Sequence, residues 1–155
     1  MRNDSSLFLF ALAMIAALLC SAGSAQAALG GGIDTVEVDG THFSASMVST
    51  AYGTYTKYVL TLPNGGTIDE YTGGGVVFGL SWRTPGRPDL VQLLGSHFAE
   101  FHAGFSTYPR GIRRAPPTIE KSDLVIQSRG HPGAFRGEAL LPALAPSGFS
   151  RSNLN

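Results

Sequence analysis

The chain has 155 residues, with eleven basic and eleven acidic side chains, 20 glycines and one cysteine. This even balance excludes a strongly basic nucleic-acid-binding protein and an acidic disordered chain. The high glycine content favours a turn-rich protein built mainly from strands.

The first 27 residues have the pattern of a cleavable export signal. Arg2 precedes an unbroken apolar run over residues 7–20, and Ala25 and Ala27 then stand at the spacing that signal peptidase prefers. The run is shorter than the ~20 residues that a membrane-spanning helix needs. We therefore expect cleavage after Ala27, a mature chain with no stable membrane span, and a periplasmic or extracellular location. An uncleaved anchor is the alternative.

The single cysteine, Cys20, lies inside this signal. The mature chain, which would begin at Ala28, is then expected to be cysteine-free, with no disulfide, thiol nucleophile or cysteine-bound metal. Its stability would have to come from an apolar core, which a chain of this length can bury.

Alternating residues predict the first strands. Residues 33–38 alternate imperfectly and predict a short or edge strand, whereas residues 55–62 alternate clearly. The turn residues at 63–66, Pro-Asn-Gly-Gly, predict a hairpin that returns along residues 67–72.

A second turn at residues 73–75, three consecutive glycines, leads to another strand. Alternation predicts that Phe78, Leu80 and Trp82 share one face of this strand. Strands joined by such short turns indicate an antiparallel meander, because parallel pairing needs a longer crossover.

One helix is predicted over residues 88–102. Pro88 suits the first turn, Asp89 favours a helix start, and Gly95 inside the helix costs about 1 kcal/mol relative to alanine. The apolar face recurs at helical spacing and consists of Leu90, Leu94, Phe98 and Phe101.

The remaining chain is predicted to contain a loop at residues 105–121 and a hairpin. The hairpin strands are residues 124–128 and 134–141, with a turn at 129–133, and a flexible tail at 146–155 follows. The sequence thus predicts one α+β domain at residues 28–145. It would be an antiparallel sheet of about five strands, a meander plus a C-terminal hairpin, with one amphipathic helix packed on it.

Several short motifs resemble one bacterial family, the domain of unknown function 2844. The resemblance covers nearly all of residues 28–149, and His97 departs from it where an aromatic residue is expected. It implies a small exported protein and carries no catalytic residues. The motifs are Ala28-Leu29-Gly30-Gly31, Gly65-Gly66-Thr67, Asp69-Glu70-Tyr71, Val77-Phe78-Gly79-Leu80-Ser81-Trp82, Pro88-Asp89-Leu90, Leu93-Leu94-Gly95, Val125-Ile126-Gln127-Ser128, Gly130-His131 and Ala139-Leu140-Leu141-Pro142-Ala143-Leu144.

Charge is uneven along the chain, and this suggests a contact surface. Residues 28–82 carry a net charge of −4, whereas residues 83–155 carry +4. Arg110, Arg113 and Arg114 in the predicted loop are candidates for binding an envelope protein or an anionic glycan or lipid surface. A solvated loop with no partner is the alternative.

His131 is the candidate functional residue of the predicted turn at 129–133. A small periplasmic hydrolase would need it beside a carboxylate, for which Asp69, Glu70 and Glu138 are the candidates. Ordinary turn geometry is the competing explanation.

Other chemistries lack support in the sequence. His97 and His102 are five residues apart, so they do not share a helical face as metal ligands would, and no Gly-x-Ser-x-Gly elbow or phosphate loop is present. We therefore expect no metal, no cofactor and no catalytic residues in the leading hypothesis. That hypothesis is an exported, non-catalytic binding or accessory module that uses a sheet edge or the arginine loop.

Overall fold

A computed structural model describes residues 28–106 and 118–154, and its centre is a seven-stranded antiparallel sheet. The strands run in the order β1-β2-β3-β4-β7-β6-β5, so two meanders meet where β4 pairs with β7. The strands are β1 Ser46–Ala51, β2 Thr56–Thr61, β3 Thr67–Gly73, β4 Val76–Thr84, β5 Thr118–Glu120, β6 Val125–His131 and β7 Ala134–Leu140.

The α+β class and the antiparallel sheet are confirmed, but the sheet has seven strands rather than about five. The two strands that were not predicted, β1 and β5, lie at opposite edges. All six residues of β1 are exposed, so no buried face produces an alternating pattern, and β5 has only three residues.

The predicted hairpin between β2 and β3 is confirmed. Asn64 Oδ1 accepts a hydrogen bond of 2.9 Å from the amide of Gly66, which closes the turn. The pairing that follows places Leu60 opposite Ile68, and both side chains are fully buried in the core.

A β-bulge in β4 changes which residues share a face. Val77 and Gly79 pair with successive residues of β3, which leaves Phe78 as an extra residue. Phe78 therefore turns to the face opposite Leu80 and Trp82, and Val77 joins these two in the main core. The predicted common face of Phe78, Leu80 and Trp82 is wrong at Phe78.

The predicted strand at residues 33–38 is wrong, because this segment lies largely in helix α1, Asp34–His42. The helix turns only Thr35, Val36 and Asp39 to the interior, while Val38 stays 47% exposed. One buried apolar residue gives almost no helical periodicity. Packing against the sheet, rather than an amphipathic pattern, therefore stabilises α1.

The predicted helix at residues 88–102 is two helices, α2 Leu90–Leu94 and α3 Phe98–Ser106, joined by a 3₁₀ turn at Gly95–His97. Asp89 caps α2, and its Oδ1 accepts hydrogen bonds of 3.1 Å from the amides of Val91 and Gln92. Gly95 has a φ of 49°, which ends the α-helical geometry of α2.

The C-terminal hairpin is confirmed, with a tighter turn than predicted. β6 extends to His131 and β7 begins at Ala134, so only Pro132 and Gly133 form the loop. Arg129 therefore lies within a strand and not in the predicted turn.

The two faces of the sheet are covered differently. We call the face under α1, α2 and α3 the core face and the opposite one the outer face. Residues 146–154, expected to be flexible, contain a 3₁₀ helix at Arg151–Leu154, and they cover one half of the outer face. The Phe149 ring lies 4.7 Å from that of Phe78 and 5.4 Å from that of Tyr71.

Candidate functional site

Three arginines lie side by side on the uncovered half of the outer face. Arg83 of β4 pairs with Arg136 of β7, and Arg136 pairs with Arg129 of β6. We call these residues the arginine row. Directly opposed residues on neighbouring strands have Cβ atoms about 5 Å apart. All three side chains are exposed, and none forms an ion pair within the described part of the chain.

A shallow polar groove of about 100 Å³ lies next to the arginine row. The arginines share its walls with Thr67, Ser81 and Gln127, whose hydroxyl and amide groups are neutral. The groove therefore combines fixed positive charge with hydrogen-bonding groups and little apolar surface.

The acids beside the groove are already paired with other bases. Asp69 binds Lys57 Nζ at 2.7 Å, and Glu138 binds Arg151 Nε. Arg151 also contacts Glu120 at 2.8 Å. Since these acids are neutralised, the arginine row keeps its positive charge facing solvent.

The pKa values of the two pairing bases reflect these contacts. Burial acts to lower the pKa of Lys57, but the hydrogen bond to Asp69 and its charge outweigh it, and the pKa is raised. The hydrogen bond to Glu138 raises the pKa of Arg151. Both bases therefore stay charged, and neither acid is released to the arginine row.

The arginine row is expected to oppose folding slightly, because like charges directly opposite each other are destabilising. Arg136→Glu, which places an acid between Arg83 and Arg129, should raise the free energy of unfolding by about 0.5–1 kcal/mol. Urea titration measures this change, and Arg136→Gln should give a smaller increase of the same sign. A lower stability for both variants would show that the row contributes to folding.

A second polar cluster lies buried between α1 and the core face. Asp39 of α1 and Glu70 of β3, which we call the carboxyl pair, are both fully buried and face each other. Gln92 of α2 donates a hydrogen bond of 2.6 Å to Asp39 Oδ1. No described residue donates to either oxygen of Glu70, so the pair is satisfied only when one carboxyl group keeps its proton.

Burial, together with the charge of Asp39, raises the pKa of Glu70 to about 9. Burial also raises the pKa of Asp39, although the hydrogen bond from Gln92 acts against it. Glu70 is therefore protonated at neutral pH, and in that form it has a proton that it can donate to Asp39. This inaccessible pair fastens α1 to the sheet and has no route to a substrate.

An exposed contact also joins α1 to α2. His42 Nε2 at the end of α1 lies 3.3 Å from Asp89 Oδ2 at the start of α2. Asp89 thus caps α2 with one oxygen and meets α1 with the other.

The structure places His131 at the exposed tip of the β6–β7 hairpin. Its Nδ1 lies 3.0 Å from the carbonyl oxygen of Pro132. None of the candidate carboxylates lies beside it. Glu138 pairs with Gln127, four residues before His131 in β6, and Asp69 lies in the same row two strands from Glu138. Glu70 is buried. The predicted signal peptide with Cys20, and the candidates Arg110, Arg113 and Arg114, lie outside the described residues.

The helical histidines are separated by their surroundings. His97 Nε2 lies beside Gly30, whereas the His102 ring lies 5.9 Å from that of Phe98. Residues 28–106 and 118–154 hold no group of three or more His, Cys, Asp or Glu residues that could bind a metal ion. The same residues include no helix that is long and apolar enough to cross a membrane.

A protein-family model matches residues 25–154, nearly the whole chain. The chain belongs to the family described as Protein of unknown function (DUF2844). The resemblance identified from the sequence motifs is therefore confirmed. A search of curated proteins gives no match to this DUF2844 member.

Among solved structures, this DUF2844 member is similar to a cysteine-rich secretory protein from Staphylococcus aureus subsp. aureus Mu50. The two share 12% sequence identity with a TM-score of 0.43. The comparison covers 76% of this chain and 49% of that chain, so this chain spans about half the length of that protein.

Sequence reasoning missed both the arginine row and the carboxyl pair. The pairing of Arg129 with Arg136 follows from the two-residue turn, so a correct turn assignment would have found that part of the row. Arg83 joins the row only through the pairing of β4 with β7, which no local pattern specifies.

Proposed function

We propose that this protein is an exported, non-catalytic binding module of the cell envelope that contacts an acidic polysaccharide through the arginine row. The observation that carries the proposal is the alignment of Arg83, Arg136 and Arg129 on adjacent strands, exposed and without an acidic partner in the described residues. Export is supported by the sequence pattern of residues 1–27.

The geometry of the row favours a repeating anion. Neighbouring strands are about 4.8 Å apart, so three guanidinium groups follow a line of about 10 Å. Guanidinium groups bind carboxylates with two parallel hydrogen bonds. A polymer with regularly spaced carboxylates can engage several arginines at once, and each contact raises the effective concentration of the next.

The surroundings of the row favour a glycan over a protein or a lipid. The groove presents the hydroxyl groups of Thr67 and Ser81, which can hydrogen-bond to sugar hydroxyl groups. The Gln127 amide already accepts from Arg151 at 2.7 Å. A protein interface usually has an apolar centre, and a membrane-binding surface exposes apolar side chains beside its bases. The described lining of the groove exposes no large apolar side chain, because Trp82 and Leu154 are both buried.

The test compares two triple variants that remove the same charge. Binding to polygalacturonate, with neutral dextran as the control polymer, is measured for the wild type, for Arg83→Ser/Arg129→Ser/Arg136→Ser and for Arg110→Ser/Arg113→Ser/Arg114→Ser. We expect the wild type to bind polygalacturonate and not dextran. The arginine-row variant should bind at least about tenfold more weakly, with a reduced salt dependence.

Wild-type affinity in the arginine-row variant would overturn the proposed surface. Loss of binding only in the second variant would move the contact to Arg110, Arg113 and Arg114. Binding to phosphatidylglycerol vesicles without binding to polygalacturonate would replace the glycan with a lipid surface.

A further inference from the structure

An unassigned groove of about 510 Å³ opens at the edge of the core face, between the α2–α3 helices and the β6–β7 hairpin. Its apolar lining includes the rings of Phe98, Phe101 and Phe135. Pockets that bind small molecules have volumes of ~300–1,000 Å³ and mostly apolar or aromatic walls. The groove is therefore large enough for a small organic molecule and has suitable walls.

One wall of the groove carries a positively charged guanidinium group. The Arg87 guanidinium lies over the Phe135 ring, 5.9 Å from the ring centroid. Arg87 forms no ion pair with a described residue. The guanidinium thus keeps its hydrogen-bond donors for a ligand, and the ring restricts its orientation.

Among the described lining residues the one acid is Asp89, and it already has hydrogen-bond partners. Asp89 accepts hydrogen bonds from the start of α2 and meets His42 across the helix interface. The other charged lining residue, Arg129, is basic. The groove therefore suits a ligand that has a negatively charged group near Arg87 and an apolar part among the phenylalanine rings.

We propose that this groove binds an aromatic carboxylate, with the aromatic body among the phenylalanine rings and the carboxylate at Arg87. Offset or edge-to-face contacts between aromatic rings add favourable binding free energy, and a saturated chain cannot form such contacts. A carboxylate can accept two parallel hydrogen bonds from Arg87. The groove shares Arg129 with the arginine row, but Arg87, which would bind the carboxylate, does not belong to the row.

The probe is 2-naphthoate, and 2-naphthamide supplies the same body without the charge. Affinity is measured by calorimetric titration, and the site is located by NMR shifts of the phenylalanine rings. We expect saturable binding of 2-naphthoate, weaker binding of 2-naphthamide, and shifts at Phe98 and Phe135. Arg87→Gln should weaken 2-naphthoate binding about tenfold and leave 2-naphthamide unchanged.

Arg83→Gln is the matched control, because it removes the same charge from the outer face. It should leave 2-naphthoate binding within about twofold of the wild type. Equal affinity for the two probes would overturn the proposal, as would an Arg83→Gln effect equal to that of Arg87→Gln. Absence of saturable binding, or shifts confined to other residues, would also overturn it. None of these results depends on whether polygalacturonate binds.

Discussion

Raising the pH from 5 to 9 is expected to destabilise the protein by about 1 kcal/mol per pH unit over much of that range. The cause is Glu70, whose pKa rises from about 4.5 to about 9 on folding. Between these values the folded chain holds a proton that the unfolded chain releases. This contribution to stability is therefore fully present below pH 4.5 and is lost as the pH rises through 9.

Glu70→Gln should remove most of this pH dependence. The amide has nearly the same size, stays neutral, and can donate to Asp39 as the protonated carboxyl group does. Urea unfolding at several pH values between 5 and 9 measures the effect, and the variant should be more stable than the wild type at pH 9.

Glu138→Gln is the comparison variant, because Glu138 pairs with Arg151 on the outer face. It should leave the slope between pH 5 and 9 unchanged. A steep pH dependence that persists in Glu70→Gln would show that the carboxyl pair is not its source.

Gly137→Ala is expected to destabilise the protein by about 3 kcal/mol. Gly137 of β7 pairs with Trp82 of β4, and the indole ring lies directly over the glycine. An added Cβ would lie 2.6 Å from Trp82 Cε2 and 2.5 Å from the carbonyl oxygen of Gln127. The second atom belongs to the backbone of a paired strand, so it cannot move aside without breaking the ladder.

Gly40→Ala is the matched control, since Gly40 lies in α1 and nothing approaches its added Cβ within 4 Å. It should raise the free energy of unfolding by about 0.5–1 kcal/mol, because alanine favours the helix more than glycine does. Thermal or urea unfolding of both variants measures whether the free energy of unfolding falls for Gly137→Ala and rises for Gly40→Ala. Equal changes in the two variants would mean that the contact with Trp82 does not limit residue 137.

The parts of the fold that sequence reasoning predicted correctly are those with local signals. The Asn64 turn and the alternation around Leu60 specify the β2–β3 hairpin, and the short turn before Ala134 specifies the β6–β7 hairpin. The strand β1 gave no signal because it has no buried face. The break at Gly95 was missed because the apolar spacing of α2 continues into α3.

The candidate sites needed information that local patterns do not contain. Asp39 and Glu70 belong to different elements, and the misassignment of α1 concealed the position of Asp39. Glu70 lies in an alternating strand, and a single acidic residue on the buried face of such a strand gives no signal in the sequence that it is buried. In both cases the chemistry arises from pairing between distant segments.

Strand β4 contacts both ends of the described chain. The amide of Gly30 donates to the carbonyl oxygen of Val77 at 2.8 Å, while Leu154 packs against Gly79 on the opposite face. Contacts this distant in sequence form slowly, because a long loop must close first, and sheets dominated by them fold in about milliseconds to seconds. Until residues near Leu154 reach the sheet, the Phe78 side chain lacks part of its cover, and apolar surface exposed in this way makes a folding intermediate prone to aggregation.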